Sequence, residues 1–345
     1  MNVSLSRLVA FGTFSSSPLL KISGNLHLVH SIFHRCFCRV VFSCESFRIQ
    51  SSSFRSLLTA PIVEQSILLV SERYVNPVSS VEGCYFAEIS GTSLGGAIYS
   101  DLNSLLTVSD CSFRLIHTTN QAGVIYKKDG SISLNRNCFY LCYSSYQINN
   151  YGGNVMYTYN SELNLNMCTA LECWNSTSIC AESNMRIYYK CMTFKNYNSS
   201  YCKGSNNGGI IGEFWSLSSG STISFCMSYK GEDTRCICNT ATSNSLQIDY
   251  CNFIENTVTY LLDDTKVSAS YCSFFGNTVK TSYFRSTTLS NCVGDFSATG
   301  MVKTTITLQS QSSNPAIRCQ MTEIPTIARK CFNKCQSVLF VLLLL

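Results

Sequence analysis

A short repeated skeleton, L-x-I-x-x-C-x-F-x-x-N, constrains this chain more than any other feature of its sequence. It spans residues 246–256 and returns at residues 267–277. In each copy the two apolar pairs alternate with polar residues as in a β-strand, but two residues separate the pairs instead of one. Both pairs can therefore face inward only if the strand bends between them. A bend that recurs in each copy predicts a coil of strands.

Looser copies of the skeleton occupy most of the chain. One coil cannot bury its apolar face, whereas stacked coils bury Leu on Leu, Cys on Cys and Phe on Phe. We therefore predict an all-β fold, a single parallel β-helix (solenoid) of about 10–11 coils with capped ends. The residues expected to stack at the cysteine position are Ser31, Ser52, Cys84, Cys111, Asn137, Cys168, Cys191, Cys226, Cys251, Cys272 and Cys292.

A second motif lies between these copies and is clearest at Gly95, Gly96, Ala97 and Ile98. Glycines fit a tight corner where a side chain would clash or where φ is positive. The small and apolar residues that follow fit an inward-facing strand. We expect a coil to consist of two strands joined by variable loops.

The GGAI motif at 95–98, paired with Phe253 and Asn256 and again with Phe274 and Asn277, resembles the repeats of chlamydial polymorphic outer-membrane proteins. It is also similar to the repeats of trichomonad surface proteins. The resemblance covers about residues 20–310. It implies a right-handed β-helix, extracellular exposure and a role in adhesion.

The repeat divides the chain into four parts: an N-terminal segment or cap at 1–20, the β-helix at 21–310, a cap containing Cys319, Cys331 and Cys335 at 311–336, and an apolar tail at 337–345. The tail ends in eight apolar residues, fewer than the ~20 that a spanning helix needs. It fits a membrane helix cut short, the end of a lipid-anchor signal, or a packed or disordered terminus.

Two segments lack the skeleton and are interpreted as insertions between coils. They are residues 57–78 and residues 201–221, and the second explains the long interval between Cys191 and Cys226.

The composition favours a binding surface over a nucleic-acid site. Charged residues make up 13% of the chain, and the net charge of +5 is spread without a run of Lys or Arg. Nucleic acid is therefore not an expected partner. We expect an unknown protein or glycan ligand at a cell surface, with membrane association through the apolar tail.

The chain has 21 cysteines. Those in the stack are interpreted as small buried hydrophobes, and the odd total leaves at least one thiol free or paired between molecules. Sequons at Asn2, Asn175 and Asn198 are compatible with secretion. The candidates for disulfides in a secreted chain are Cys36, Cys38, Cys44, Cys142, Cys173, Cys180, Cys202, Cys236 and Cys238.

A metal site is disfavoured, and no cofactor is expected. His27, His30, His34, Cys36 and Cys38 lie close in sequence. The spacing lacks the C-x₂-C pairs typical of zinc, and strand alternation sends the first two histidines to opposite faces. A second close pair, Cys236 and Cys238, has the same wrong spacing.

The alternative function is an enzyme that cleaves polysaccharides. Its acid and base would come from Asp249, Asp263 and Asp264, although the last two occupy an expected turn. Three carboxylates converging within about 6 Å would favour that alternative. An outer face of Ser, Thr, Asn and Tyr would favour a non-enzymatic adhesin, which is the function we expect.

Overall fold

Strands and turns make up the part of the chain that the structure describes, with no helix in that part. The structure is a computed structural model of the 345-residue chain. It describes residues 2–12, 17–22, 25–36, 39–43, 47–64, 78–92, 94–145, 152–174, 183–204, 209–232, 236–241, 245–263, 266–285, 287–296 and 301–303. The predicted C-terminal cap and apolar tail lie outside these residues.

The strands are numbered β1 to β35 in chain order and pair in parallel, coil upon coil, in three ladders. The first ladder carries the inward Leu and Ile of the skeleton. It consists of β1 (Asn2–Ser6), β4 (Asn25–Val29), β7 (Phe47–Gln50), β10 (Val78–Glu82), β13 (Ser104–Ser109), the second half of β15 (Ile125–Asn135), the second half of β18 (Gly153–Asn166), β21 (Met192–Lys195), β24 (Ser221–Ser224), β27 (Leu246–Asp249), β30 (Val267–Ser270) and β33 (Thr288–Ser290).

The second ladder carries the inward Phe of the skeleton. It consists of β2 (Val9–Phe11), β5 (Ile32–His34), β8 (Ser53–Arg55), β11 (Tyr85–Gly91), β14 (Ser112–Thr118), β16 (Cys138–Tyr140) with β17 (Tyr143–Ser144), β19 (Thr169–Leu171), β22 (Asn198–Ser200), β25 (Met227–Tyr229), β28 (Asn252–Ile254), β31 (Ser273–Phe275), β34 (Cys292–Gly294) and β35 (Met301–Lys303).

The third ladder contains the strand that follows the GGAI motif. It consists of β3 (Leu20–Ile22), β6 (Val41–Ser43), β9 (Ile62–Glu64), β12 (Ile98–Ser100), the first halves of β15 and β18, β20 (Ser183–Tyr188), β23 (Gly209–Trp215), β26 (Cys236–Ala241), β29 (Thr257–Asp263) and β32 (Thr278–Arg285).

The parallel β-solenoid predicted from the sequence is thus confirmed, while its hand stays a prediction. Two details differ. A coil has three strands instead of two, and the segments interpreted as insertions contain regular third-ladder strands, β9 and β23. Residues 2–11 of the expected N-terminal segment pair with the next coil through β1 and β2, so they form a coil themselves.

The bend inside the skeleton is a single residue in the left-handed backbone region. In the copy at 246–256 this residue is Tyr250, with φ of 54°, and in the next copy it is Tyr271, with φ of 53°. Such a φ costs a residue with a side chain roughly 1–2 kcal/mol. Hydrogen bonds between coils stabilise the corner, because the Tyr250 N–H donates to the Ser270 carbonyl at 3.0 Å.

The core is a stack of phenylalanines that is interrupted once. Rings follow one another from coil to coil at centroid distances of 4.8–5.2 Å, over Phe33, Phe54, Phe86, Phe113 and Phe139. The next three positions in register are small, namely Ala170, Ser199 and Ser228. The stack resumes with Phe253 and Phe274, 5.0 Å apart.

Large side chains from other positions fill the space at this interruption. Phe194, Tyr197 and Phe214 are all fully buried, and Phe194 meets the other two rings edge to face. Because a protein interior is packed to near-crystalline density, the loss of volume in one column has to be offset in another.

Candidate ligand-binding surfaces

Most of the predicted repeat residues lie where the skeleton places them, facing inward. Cys84, Cys111, Cys168, Cys226, Cys251, Cys272 and Cys292 are buried in one column, as are Phe253 and Phe274 in another. One residue differs. Leu165 pairs with Phe194, which puts Tyr197 and not Cys191 in register with Cys168.

The sequence prediction put Cys191 in the cysteine column because Tyr188-x-x-Cys191 resembles the I-x-x-C part of the skeleton. Tyr188 belongs instead to the end of β20, and the following strand, β21, begins at Met192. With Tyr197 in the column, the interval to Cys226 becomes an ordinary one and needs no insertion.

Most residues of the cysteine column have short side chains that form hydrogen bonds, so they are not merely small apolar residues. Cys251 donates through Sγ to the Asp249 carbonyl at 3.2 Å and accepts the Cys226 N–H at 3.4 Å. Ser52 makes the equivalent pair of bonds, to the Gln50 carbonyl and from the Ser31 N–H. The side chain therefore forms hydrogen bonds with backbone N–H and carbonyl groups at the corner, which explains why Ser or Asn replaces Cys in some coils.

Substitutions at Cys251 separate the two interpretations of this column. Serine keeps both bonds, so Cys251→Ser should change the free energy of unfolding by less than about 1 kcal/mol. Valine keeps an apolar side chain but accepts no hydrogen bond, and Cys251→Val should cost about 1–2 kcal/mol. Urea denaturation of both variants in reducing buffer measures the difference. A valine variant as stable as the serine variant would restore the purely hydrophobic interpretation.

Four predicted disulfide candidates, Cys36, Cys142, Cys173 and Cys202, instead lie buried in the interior as free thiols. The last three follow one another in register after the second ladder. Each donates to the carbonyl two residues earlier, as Cys173 does to Leu171 at 3.5 Å. Seven further cysteines are free thiols as well, namely Cys84, Cys111, Cys191, Cys226, Cys251, Cys272 and Cys292. Cys38, Cys44 and Cys180, with the side chains of Cys236 and Cys238, lie outside the described part.

The GGAI motif lies at a corner where the backbone comes very close both to itself and to the next coil. A Cβ on Gly95 would lie 2.1 Å from the Ile98 carbonyl oxygen, and one on Gly96 would lie 2.1 Å from that of Gly123. These two positions require glycine because a side chain would clash with the nearby backbone, and not because φ is positive there. Ala97 and Ile98 are buried, as the motif predicts.

Asn256 and Asn277 form a ladder of amides at the second corner of the coil, and Asn256 is fully buried. Asn256 Oδ1 accepts from Ser228 Oγ and from the Gly231 N–H, both at 2.9 Å. Its Nδ2 donates to the Ser228 carbonyl at 3.0 Å and to Asn277 Oδ1 at 3.1 Å. The asparagine of the repeat thus joins three successive coils.

The carboxylates proposed for catalysis lie on different ladders. Asp249 ends β27 in the first ladder, where burial raises the pKa of its carboxyl. Asp263 ends β29 in the third ladder, and its side chain, like residue 264, lies outside the described part. No geometry among described atoms therefore brings these groups together.

The histidines of the N-terminal cluster are similarly dispersed. His27 contacts Gln50 Oε1 at 3.2 Å on the outer side of the first ladder, His30 occupies a corner with φ of 50°, and Cys36 points inward. Over the described ranges no group of three His, Cys, Asp or Glu side chains could hold a metal ion.

A serine and a histidine also meet on the second ladder. His117 Nε2 lies 3.0 Å from Ser145 Oγ, and burial lowers the pKa of His117. A nucleophilic serine needs a base that a third group orients. Here the other ring nitrogen faces the Ser90 hydroxyl at 3.4 Å, so the carboxylate of a catalytic triad is replaced by a weaker partner.

The outer side of the third ladder carries a largely buried aromatic cluster, here called the tyrosine face. Three of its tyrosines are 7–8% exposed. Burial raises the pKa of Tyr126 to about 12, so its phenol stays protonated at neutral pH. The cluster consists of Tyr99, Tyr126, Tyr157, Tyr188 and Trp215.

An ion pair is buried in the same face. Arg186 follows Tyr157 in register, and Glu213 follows Arg186. Both side chains are 1% exposed, with Nη1 and Oε2 3.1 Å apart. Arg186 Nε also donates to the Tyr188 hydroxyl at 2.8 Å, and Trp215 Nε1 donates to Glu213. The pair is enclosed, so its effect is on stability and not on direct contact with a ligand.

A second group of aromatic residues faces solvent and is here called the aromatic ridge. Phe225, Tyr250 and Tyr271 occupy the same corner of three successive coils, with 49–54% of each residue exposed. Their rings are parallel to within 6°, at centroid distances of 5.2 and 5.0 Å. The faces cover one another, so ring edges and the two phenolic hydroxyls point outward.

The ridge borders a regular polar strip on the outer side of the first ladder. The strip is formed by the two outward residues that flank the second inward residue of each skeleton copy, such as Gln247 and Asp249 on either side of Ile248. From β13 to β33 only two of these positions are charged. The strip consists of Thr107, Ser109, Ser133, Asn135, Asn164, Asn166, Thr193, Lys195, Thr222, Ser224, Gln247, Asp249, Ser268, Ser270, Thr288 and Ser290.

Sequence reasoning missed the ridge, although the signal is present. An aromatic residue directly precedes the stacked cysteine in three successive copies, at Phe225-Cys226, Tyr250-Cys251 and Tyr271-Cys272. It also missed Arg186 and Glu213, which carry no local signal because their pairing depends on the register of β20 and β23.

The sequons have different surroundings. Asn198 is 5% exposed within β22, which places its side chain out of reach in the folded chain. Asn175 and the side chain of Asn2 lie outside the described part. Within that part no helix has the length and hydropathy needed to cross a bilayer.

No protein-family model matches the chain, and no curated protein matches it.

Proposed function

We propose that this chain is a non-enzymatic β-solenoid displayed at a cell surface, where it binds a partner in adhesion. The aromatic ridge is the observation that carries the proposal. Large aromatic side chains are held in the left-handed region at Phe225, Tyr250 and Tyr271 and remain half exposed. Packing does not require rings there, because the same corner is occupied by Asn196 and Asn291 in adjoining coils.

An exposed apolar group in a strained conformation is a reason to look for a function. Aromatic rings supply contact area at low conformational cost, which suits a binding site. The polar strip beside the ridge supports the same proposal, because it consists of Ser, Thr, Asn and Gln at nearly every position. Display at a surface and adhesion rest on the resemblance to chlamydial and trichomonad repeats.

Replacing the ridge should weaken binding without unfolding the chain. The triple variant Phe225→Asn, Tyr250→Asn, Tyr271→Asn keeps a residue that tolerates the left-handed corner. We expect its binding to target cells to fall about tenfold or more, which corresponds to ~1.4 kcal/mol. Flow cytometry with the labelled chain measures the loss.

Tyr189→Asn is the matched control, since Tyr189 is 48% exposed and has φ of 68° but lies at the tyrosine face. It should bind as wild type does. Equal binding by the triple variant and wild type would refute the role of the ridge. Display is tested separately with an antibody raised against the folded chain, which should label intact source cells and lose its signal after protease treatment.

A further inference from the structure

The polar strip repeats the same two outward positions in every coil. Neighbouring coils are about 4.8 Å apart, and the two positions within a strand are about 7 Å apart. Thr222 and Ser224 are followed by Gln247 and Asp249, and then by Ser268 and Ser270. A ligand that repeats at the coil spacing would therefore meet equivalent groups again and again.

The ridge adds one aromatic edge to each of these coils. The edge of an aromatic ring carries partial positive charge and attracts oxygen atoms, whereas its face would attract cations. The faces that meet within the row, including both faces of Tyr250, are already covered by neighbouring rings. The strip and the ridge together thus offer hydroxyls, amides and ring edges, all of which suit a ligand rich in oxygen.

We propose that the strip and ridge bind a neutral, extended, β-linked polysaccharide that lies along the solenoid axis. The inference rests on the proposed binding function and names its ligand class. In such a polymer each sugar advances by a distance close to one coil. Each coil from β24 to β30 then contacts one sugar through two outward side chains and one ring edge.

Charge disfavours an anionic polymer. Asp249 stands in the strip beside Tyr250, and Lys195 lies in the strip next to the Phe225 end of the ridge, 5.9 Å from the Phe225 ring centroid. A polyanion along this path would pass the carboxylate of Asp249, and like charges at close range repel. A neutral chain avoids this repulsion and can use every hydroxyl.

A protein partner fits the surface less well. Protein interfaces have an apolar core with aromatic anchors near the centre, and serine is depleted there. In this surface the aromatic residues form one border, and serine and threonine fill the middle. The regular repetition also has no counterpart in a folded partner, whereas a polymer gains affinity with each unit that binds.

The test measures binding of the purified full chain by isothermal titration calorimetry to cello-oligosaccharides and chito-oligosaccharides of increasing length, and to polygalacturonate and heparin. Affinity should rise about tenfold from the disaccharide to the hexasaccharide as more coils are contacted. Thr222→Glu places a charge at the centre of the strip and should weaken binding about tenfold. Thr281→Glu, at an exposed position of β32 in the third ladder, should leave it unchanged.

Three outcomes overturn the inference in different ways. Binding only to polygalacturonate or heparin would show that the ligand is anionic. If the wild-type chain binds none of the glycans but its binding to cells still depends on the ridge, the partner is a protein and the proposed function stands. Absence of any cell binding by the wild-type chain would remove the proposed function itself.

Discussion

Arg186→Met is expected to lower the free energy of unfolding by about 3–5 kcal/mol, the largest effect of any single substitution proposed for this chain. The reason is the carboxylate that remains. Glu213 is 1% exposed, and its Oε2 lies 3.1 Å from Arg186 Nη1. Methionine fills much of the volume of the arginine but supplies no charge. A buried carboxylate without its cation is far more costly than the intact pair is favourable. Urea denaturation at neutral pH measures the loss.

The double variant Arg186→Met, Glu213→Leu removes both charges and should recover most of the stability. The deficit of the single variant should also shrink as the pH falls, because protonation of Glu213 removes the unpaired charge. The unpaired carboxyl has a raised pKa in the folded state, so stability is present below the unfolded pKa and lost as pH rises above it. If the single and the double variant lose the same free energy of unfolding at every pH, this explanation is contradicted.

A surface pair provides the matched control. Arg136 lies 2.6 Å from Asp110, but its side chain is 41% exposed. Arg136→Met is compatible with the corner, because Met167 occupies the same position in the next coil with φ of 55°. Exposed ion pairs contribute little, so this variant should lose less than about 1 kcal/mol.

The repeat was predictable because its physical cause is local. Leu246 and Ile248 alternate like a strand, and the extra residue before Cys251 requires a bend, which the structure shows as a left-handed Tyr250. Inward positions in successive coils then have to match, since each buries the next. The spacing of a few residues therefore predicted a parallel solenoid over most of the chain.

The errors arose where pairing over a distance decides between similar local patterns. Cys191 imitates the skeleton, but the register of β21 against β18 selects Tyr197, whose ring fills space left by Ala170 and Ser199. Cys142, Cys173 and Cys202 are not at the cysteine position of the skeleton. They stack inward at the second corner of the coil, and the skeleton does not predict the geometry of that corner. Spacing alone cannot distinguish these thiols from disulfide partners.

The sequence predicted the polar strip but not the exposed row of aromatic residues in the ridge. The outward residues of the skeleton are visible as Ser, Thr and Asn, and a polar face was expected. That Phe225, Tyr250 and Tyr271 lie in one exposed row follows only from the corner geometry, because the residue before a stacked cysteine could equally have turned inward.

Asn256→Ala should cost about 3 kcal/mol, the second largest effect expected here. The Asn256 side chain is fully buried and takes part in four hydrogen bonds. Alanine deprives the Gly231 N–H and the Ser228 carbonyl of these bonds and leaves a small cavity, and buried polar groups that lose partners cost about 1–3 kcal/mol each. Asn256→Asp should be no better, because it keeps the acceptor but loses the donor and buries a charge.

Asn164→Ala is the control for this substitution, since Asn164 is exposed on β18, and it should change stability by less than about 0.5 kcal/mol. Hydrogen exchange adds a spatial test. The amide N–H of Gly231 should lose protection in Asn256→Ala, while amides of β4 and β7 remain protected, because each coil contacts only its neighbours. A uniform loss of protection along the chain would show that Asn256 stabilises the solenoid as a whole, and an unchanged Gly231 amide would remove the amide ladder as its source of stability.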